Sequence, residues 1–234
     1  MGLEGKGLMV SAMIHQGSTN FRVLAGDRTA ATDRWSGAMS QFFDVGRAVL
    51  ASVRADIRLG RLREPALMLG AAEPRAVPAV VGALLRSIND EYAIELHAPF
   101  EDTESIAGAL WSGRELFGPG HDDGLAKLCF SGGTLDLPLH VHEHSDRFIA
   151  VLAGEGRFWW SEEPWRAFTG RDIQSTPVRT GDVLVFTRNL LHTFSAPVED
   201  LVLLSYHSPE IPFHDPRQYT LPALRWTPRL GVPQ

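Results

Sequence analysis

Apolar and polar positions follow two different spacings along the chain, and the change occurs near residue 125. Between residues 36 and 62, apolar side chains recur at steps of three or four with Arg and Asp between them, which predicts an amphipathic helix. Prolines then punctuate the sequence, and the pattern predicts further helices over residues 78–88 and 102–111 with a short strand over 92–97. This first part of the chain is therefore expected to be largely helical.

From residue 125 onward, short apolar runs alternate with turns rich in Gly, Pro and polar residues. Runs such as RFIAVLAG, DVLVFT and LVLLSYH have the length of strands, and their number is typical of a sandwich or barrel. We predict a mainly β protein with an N-terminal helical extension. Its segments are a partly irregular arm over residues 1–35, a helical extension over 36–124 that packs on the barrel, the barrel core over 125–208, and a Pro-rich C-terminal strap over 209–234.

The composition of the chain indicates which partners it is not suited to bind and which cellular compartment it is expected to occupy. The chain has 234 residues, of which 44% are hydrophobic and 21% are charged, and its formal net charge is −6. This acidic balance, without a block of Lys or Arg, argues against binding to nucleic acid or to an anionic membrane. Cys129 is the single cysteine, which excludes an intrachain disulfide and a zinc site built from cysteines. We predict a cytoplasmic protein.

Three histidines lie close together in the sequence His140-Val141-His142-Glu143-His144. Residues two apart point to the same face of a strand, so His140 and His142 are expected to project side by side. Neutral imidazole nitrogen is a good ligand for Zn, Fe, Ni and Cu, and two such rings form half of a metal site. The alternative is a solvated polar face that binds no metal.

Two spaced blocks of sequence resemble the conserved motifs of the cupin superfamily, G-(x)5-H-x-H-(x)3,4-E-(x)6-G and G-(x)5-P-x-G-(x)2-H-(x)3-N. His140 and His142 match the histidines of the first motif. Gly181 and His192 match the opening glycine and the histidine of the second motif. The resemblance covers roughly residues 125–208. It implies a cupin jelly-roll barrel in which His140, His142 and His192 hold a divalent metal ion.

The chain departs from the first motif where a glutamate is expected, and two site models follow. Counting forward from His142 places Asp146 in that position, whereas counting back from Gly154 places Arg147 there. In one model, Asp146 completes a ligand set of three histidines and one carboxylate. In the other model, three histidines alone hold the metal, as in the thiol dioxygenases that this arrangement resembles. Arg147 then binds a substrate carboxylate through its planar guanidinium.

Aromatic and titratable residues near these motifs are candidates for contact with a substrate. Trp160, Phe186 and Phe194 lie on neighbouring predicted strands, where they either line the mouth of the barrel or pack as core residues. Tyr206 and His207 are consecutive on the predicted strand LVLLSYH. Alternation places one of them inside the barrel, where it can serve as a general acid or base. The alternative for Tyr206 is a packed strand residue.

The resemblance implies a metal-dependent enzyme that acts on a small molecule. We predict an Fe(II)-dependent dioxygenase whose substrate chelates the metal, because imidazole ligands leave coordination positions open for substrate and O2. One alternative is a redox-inert isomerase, cyclase or lyase that uses Zn, Ni or Mn. Another is a non-catalytic sensor of a small molecule or a metal. In the superfamily that the chain resembles, helices outside the barrel commonly cover it or contact a second subunit, so the resemblance implies a homodimer.

Overall fold

The computed structural model describes residues 31–70, 102–106, 109–115 and 122–231. These ranges contain two α-helices, α1 (Ala31–Arg58) and α2 (Pro228–Gly231), and neither has the length and apolar character needed to cross a bilayer. The strands are β1 (Leu67–Gly70), β2 (Asp102–Ile106), β3 (Ala109–Glu115), β4 (Gly124–Phe130), β5 (Asp146–Ala153), β6 (Glu155–Ser161), β7 (Gln174–Arg179), β8 (Val183–Phe186), β9 (Leu191–Ser195) and β10 (Leu201–Ser208). The helix predicted over 78–88, the strand predicted over 92–97 and most of the N-terminal arm lie outside the described residues.

The strands form two antiparallel sheets that pack face to face. The larger sheet has the order β1-β8-β5-β10-β4-β3-β2, and the smaller sheet has the order β7-β6-β9. One buried cluster fills the space between them, with Ile149 and Leu203 from the larger sheet and Phe158 from the smaller. The prediction of a mainly β barrel with an N-terminal helix is confirmed, and the space between the sheets is the interior of the barrel.

Helix α1 covers the outer face of the larger sheet. Its residues Phe42, Val49 and Val53 are buried and belong to one cluster with Phe148 of β5. The ring centroids of Phe42 and Phe148 lie 5.1 Å apart. Each large apolar side chain buried in this way contributes about 1.5–3 kcal/mol to stability, so the helix is held to the barrel mainly by apolar contact.

The helices predicted for the N-terminal half have different outcomes. The helix predicted over 36–62 is confirmed, with observed bounds Ala31–Arg58. It ends there because Gly60 adopts a left-handed backbone conformation with φ of 71°, which stops a helix. The helix predicted over 102–111 is wrong, because this part of the chain forms the antiparallel hairpin of β2 and β3.

Pairing with a neighbouring strand explains why this hairpin forms. Strand β3 extends the larger sheet by pairing with β4, with Ser112 opposite Cys129. Such a ladder satisfies the backbone N–H and C=O groups and outweighs the weak local preference that suggested a helix. Strand β1 pairs with β8 in the same sheet. The barrel therefore includes strands that precede residue 125, in a region where we predicted a helical extension.

The C-terminal segment that follows β10 lies alongside the residues that carry the first two histidines. Thr220 and Val141 form an antiparallel bridge, with N–O distances of 2.8 and 2.9 Å. The N–H of Leu139 donates to the carbonyl of Trp226 at 2.9 Å. These bonds place residues 209–227 against one wall of the barrel, next to the histidine segment.

Candidate metal centre

Three imidazole rings converge in the space between the two sheets. His140 and His192 are partners in an antiparallel bridge, with N–O distances of 3.0 and 2.9 Å. His142 follows two residues after His140 and projects from the same side of the chain. The ring centroids of His140 and His192 are 4.6 Å apart. The ring centroid of His142 lies 5.2 Å from that of His140 and 5.1 Å from that of His192. One ring nitrogen of each residue lies within 4.8 Å of the other two.

Backbone carbonyl groups fix the orientation of each ring. Nδ1 of His140 donates to the carbonyl of Pro138 at 3.0 Å, and Nδ1 of His192 donates to the carbonyl of Leu190 at 2.9 Å. Nδ1 of His142 donates to the carbonyl of Gln218. A carbonyl oxygen only accepts hydrogen bonds, so each Nδ1 carries the proton and each Nε2 keeps its lone pair. Histidines that bind metals are commonly held in this way. The cluster therefore presents three lone pairs of the type that a metal ion needs.

The turn between β8 and β9 brings His192 to the other two histidines. Asn189 in this turn has a left-handed backbone with φ of 67°, a conformation that asparagine adopts more readily than most residues. Its N–H donates to the carbonyl of His142 at 3.0 Å. This bond ties the turn to the histidine segment and holds the Leu190 carbonyl where His192 can reach it.

The three rings are held in the neutral form that a metal ligand requires. Burial lowers the pKa of His140 to about 4. Burial, together with the positive charge of Arg147, lowers the pKa of His142 well below its ordinary value. Burial and the neighbouring His140 ring do the same to the pKa of His192. Near pH 7 the rings are thus unprotonated, and their lone pairs are available to a cation.

Arg147 is the charged neighbour of this cluster. It is 3% exposed, and its Nη2 lies 3.0 Å from Nδ1 of His142 and 3.0 Å from Oε1 of Gln218. Nη2 donates to the amide oxygen, whereas Nδ1 of His142 already gives its proton to a carbonyl and accepts nothing. Burial lowers the pKa of Arg147 to about 9, so the guanidinium stays protonated at pH 7. No carboxylate of the described residues bonds to it.

A cavity of about 60 Å³ opens beside the three histidines and Arg147. Its walls are mostly apolar, with Phe130, Leu137, Ile149, Phe186, Phe194 and Phe213 among the lining residues. In the part of the wall that the structure describes, Arg147 is the one ionic side chain. Apolar walls keep water out and strengthen the electrostatic pull of the guanidinium. The arrangement suits a small anionic molecule.

Two antiparallel sheets thus enclose three histidines, two of them from the segment before β5 and one from β9. The protein has a cupin fold. No protein-family model matches the chain, and no curated protein sequence matches it.

Solved structures that are similar to this chain share little of its sequence. An oxalate decarboxylase from Lactobacillus farciminis has a TM-score of 0.38 and 16% identity, over 47% of this chain and 31% of its own. A conserved protein with a double-stranded β-helix domain from Klebsiella pneumoniae has a TM-score of 0.38 and 15% identity, over 52% of this chain and 90% of its own. A cupin-like protein from Thermotoga maritima has a TM-score of 0.38 and 16% identity, over 49% of this chain and 81% of its own. The matches span only 29% and 31% of two oxalate decarboxylase chains.

Asp146 lies on the outer face of β5, away from the histidine cluster. Its carboxylate accepts hydrogen bonds from Nε and Nη2 of Arg54 in α1, and from the N–H of Arg188 at 2.8 Å. One step along a strand reverses the side of the sheet to which a side chain points. Arg147 therefore faces the cavity and Asp146 faces the helix. Of the two site models, the structure brings together the three histidines with Arg147 and leaves Asp146 apart.

Tyr206 and His207 likewise point to opposite faces of β10. His207 is 3% exposed and lines the cavity, and its Nδ1 has no hydrogen-bond partner among the described residues. Its ring lies over Gly124, where a Cβ atom would come within 2.1 Å of Nε2, so only glycine leaves room for it. Burial and the charge of Arg147 lower the pKa of His207 well below its ordinary value. Tyr206 packs against α1 instead, with its ring centroid 5.1 Å from that of Phe43.

The aromatic candidates are divided between the cavity and the core. Phe186 and Phe194 line the cavity, whereas Trp160 is buried in the apolar cluster between the sheets and does not. The C-terminal segment adds Phe213, Gln218 and Tyr219 to the described wall, and the sequence analysis missed all three. No motif or periodic spacing marks them, because they reach the site only through the path of the chain after β10.

Proposed function

We propose that this protein is a metal-dependent enzyme that oxygenates a small organic carboxylate, with Fe(II) as its favoured ion. The observation that carries the proposal is a cluster of three neutral imidazoles beside one buried arginine, which bonds to no acid in the described part of the chain. A buried charge without a counter-ion is costly, so the site is expected to take up an anion. A carboxylate suits the planar guanidinium and is also a ligand for metal ions.

His140, His142 and His192 would hold the ion through their Nε2 atoms. Their fit rests on the shared tautomer and on the neutral state of the rings near pH 7. Bound Fe(II) with open coordination positions would supply activation of O2 next to a chelated substrate. Transfer of both oxygen atoms of O2 to the substrate balances without an external reductant, so no second cofactor is required.

The other residues of the cavity orient the substrate and handle its proton. Arg147 would bind the carboxylate and neutralise its charge, which fixes one end of the substrate next to the histidine cluster. Phe186 and Phe194 provide apolar walls that exclude bulk water. His207 presents an unprotonated ring whose Nδ1 has no partner among the described residues. The neutral imidazole would accept a hydrogen bond or a proton from the substrate.

A redox-inert isomerase, cyclase or lyase that uses Zn, Ni or Mn is the second candidate. It is favoured by the composition of the cluster, which contains three histidines and no carboxylate among the described residues. Three histidines alone are a ligand set of catalytic zinc sites. The chemistry supplied would then be polarisation of a substrate carbonyl, and Arg147 would keep its role in binding the carboxylate.

Metal content is the first test of the proposal. Protein purified without oxygen and supplied with Fe(II) should hold about one metal ion per chain. His192→Ala should lose the ion and keep the far-ultraviolet circular dichroism of the wild type. His144→Ala is the matched control, because His144 is exposed and lies outside the cluster. Full metal retention by His192→Ala would contradict the proposed centre.

Oxygen uptake with a panel of small carboxylates separates the two candidates. Iron-loaded protein should consume O2 and one member of the panel in equal amounts, and zinc-loaded protein should not. Turnover that proceeds with zinc and in the absence of O2 would favour the redox-inert candidate. Carboxylate binding without turnover under any of these metals would contradict both enzyme proposals and leave a binding protein.

The assembly and the compartment remain predictions. A homodimer would have twice the chain mass of 25.8 kDa, which light scattering on a sizing column measures directly. A single-chain mass at micromolar concentration would contradict the predicted dimer.

A further inference from the structure

Gln218 lies where the histidine cluster and Arg147 meet. It is 6% exposed. Its backbone carbonyl accepts the Nδ1 hydrogen of His142, and its side-chain Oε1 accepts a hydrogen bond from Nη2 of Arg147 at 3.0 Å. One residue of the C-terminal segment therefore contacts a proposed metal ligand with its backbone and the proposed anion-binding residue with its side chain.

The chain is fixed on both sides of Gln218. Its N–H donates to the carbonyl of Asp215 at 2.9 Å, and this closes a turn that also contains an ion pair between Asp215 and Arg217. Two residues later, Thr220 forms a bridge with Val141, next to the histidine segment. A buried side chain on a backbone fixed in this way has little freedom to move, so it can hold a neighbouring group in one orientation.

The neutral amide of Gln218 holds Arg147 without cancelling its charge. Oε1 accepts from Nη2, and Nε and Nη1 of Arg147 have no hydrogen-bond partner among the described residues. A carboxylate at the same place would form a charge-assisted pair and occupy the guanidinium. An amide at this position therefore keeps the arginine oriented and still available to an external anion.

We propose that Gln218 is a positioning residue that sets the anion affinity of the site. It orients Arg147 for an incoming carboxylate through its side chain, and it supports His142 only through its backbone. The inference rests on the proposed function, because it assigns a role to the same cavity. Since the two roles belong to different atoms, substitutions of the side chain should change anion binding and leave metal binding intact.

Acetate, the probe, is small enough to test the guanidinium without filling the cavity. In zinc-loaded, full-length protein, sodium acetate should raise the melting temperature more than equal concentrations of sodium chloride. Gln218→Glu should keep its zinc and bind acetate roughly tenfold more weakly or worse, because the new carboxylate occupies Arg147. Gln218→Met, which has similar length but no acceptor, should keep its zinc and bind acetate about threefold to tenfold more weakly. Gln174→Glu is the matched control away from the cavity lining and should behave as wild type.

Several outcomes would overturn this assignment. One is a Gln218→Glu protein that holds zinc and binds acetate as the wild type does. Loss of zinc from either Gln218 variant is another, because the side chain would then support the metal cluster. If Gln218→Glu does not fold, unchanged acetate affinity in Gln218→Met decides against the proposal. If wild-type protein holds zinc but its melting temperature does not respond to acetate, the cavity has no anion site and the proposal is wrong. Failure of the proposed function is seen separately, as wild-type protein without metal or without turnover.

Discussion

The two faces of the larger sheet differ in whether a buried charge has a charged partner within the protein. The consecutive residues Asp146 and Arg147 show this difference. Asp146 on the outer face is 2% exposed and is paired with Arg54 of the helix and with the N–H of Arg188. Arg147 on the inner face is 3% exposed, and its acceptor among the described residues is the neutral amide of Gln218. The outer charge is satisfied within the protein and joins helix to barrel. The inner charge is left for a molecule that enters the cavity.

The same contrast recurs on β10. Tyr206 on the outer face is packed against α1, within the cluster that attaches the helix to the sheet. His207 on the inner face lines the cavity, with a ring nitrogen that has no partner in the described part of the chain. The outer face therefore contributes stability through its packing against the helix, and the inner face presents His207 to the cavity.

Removal of the inner charge should have the largest effect. Arg147→Met should weaken acetate binding roughly 100-fold, because hydrogen bonds to a charged group contribute about 1.5–3 kcal/mol. The free energy of unfolding should not fall, since a buried charge without a counter-ion is replaced by an apolar chain of similar length. Acetate titration and urea unfolding measure the two quantities. Unchanged acetate affinity would show that the guanidinium is not an anion site.

Removal of the outer charge should affect stability instead. Asp146→Ala leaves Arg54 and the N–H of Arg188 without their shared acceptor, and we expect the free energy of unfolding to fall by about 2–3 kcal/mol. Urea unfolding measures this loss, and elemental analysis should show that the metal is retained. Asp136→Ala is the control, because Asp136 and Arg229 form an exposed ion pair whose loss should cost at most about 1 kcal/mol. Loss of metal from Asp146→Ala would revive the model in which this carboxylate is a ligand.

The two residues on β10 should differ in turnover. His207→Leu removes both ring nitrogens from the cavity wall and should lower kcat by roughly tenfold or more, as expected for loss of a group that handles a proton. Tyr206→Phe should keep kcat within about twofold and stability within about 1 kcal/mol, because its hydroxyl lies outside the cavity lining and forms no well-aligned hydrogen bond with its neighbours Asp123 and Arg47. Steady-state kinetics and urea unfolding distinguish the two. Equal losses of kcat would mean that the faces are not functionally distinct.

Cys129 gives the smallest expected response. It is buried in the cluster under α1, and burial, with a contribution from Asp200, raises the pKa of its thiol to about 11. Because the thiolate is the reactive form, iodoacetamide should leave the folded protein unlabelled at pH 8 and begin to react only as the pH approaches 11. Mass spectrometry measures the labelling, and protein unfolded in urea at pH 8 is the reactive control. Rapid labelling of folded protein at pH 8 would show that the helix leaves the sheet exposed.

The amino-acid sequence alone determined the histidine cluster and the general class of the fold. His140 and His142 were found because alternation along an extended chain is a local property, and His192 was found through its spacing within a motif. The choice between Asp146 and Arg147 was undecided in the sequence, since two counts differed by one residue and one residue reverses the face of a strand. Helix α1 was predicted from its periodicity. The hairpin of β2 and β3 was not, because strand pairing depends on a partner.

Only the tertiary structure decided how the cavity is completed. Gln218 is 76 residues from His142 in sequence, and no local pattern connects them. Their contact depends on the path that the chain takes after β10, along the cavity and next to the histidine segment. The assignment of Asp146 to the helix and of Arg147 to the cavity is also a tertiary result. Both follow because a side chain's role is set by the face on which it lies and by the groups that the rest of the chain brings to that face.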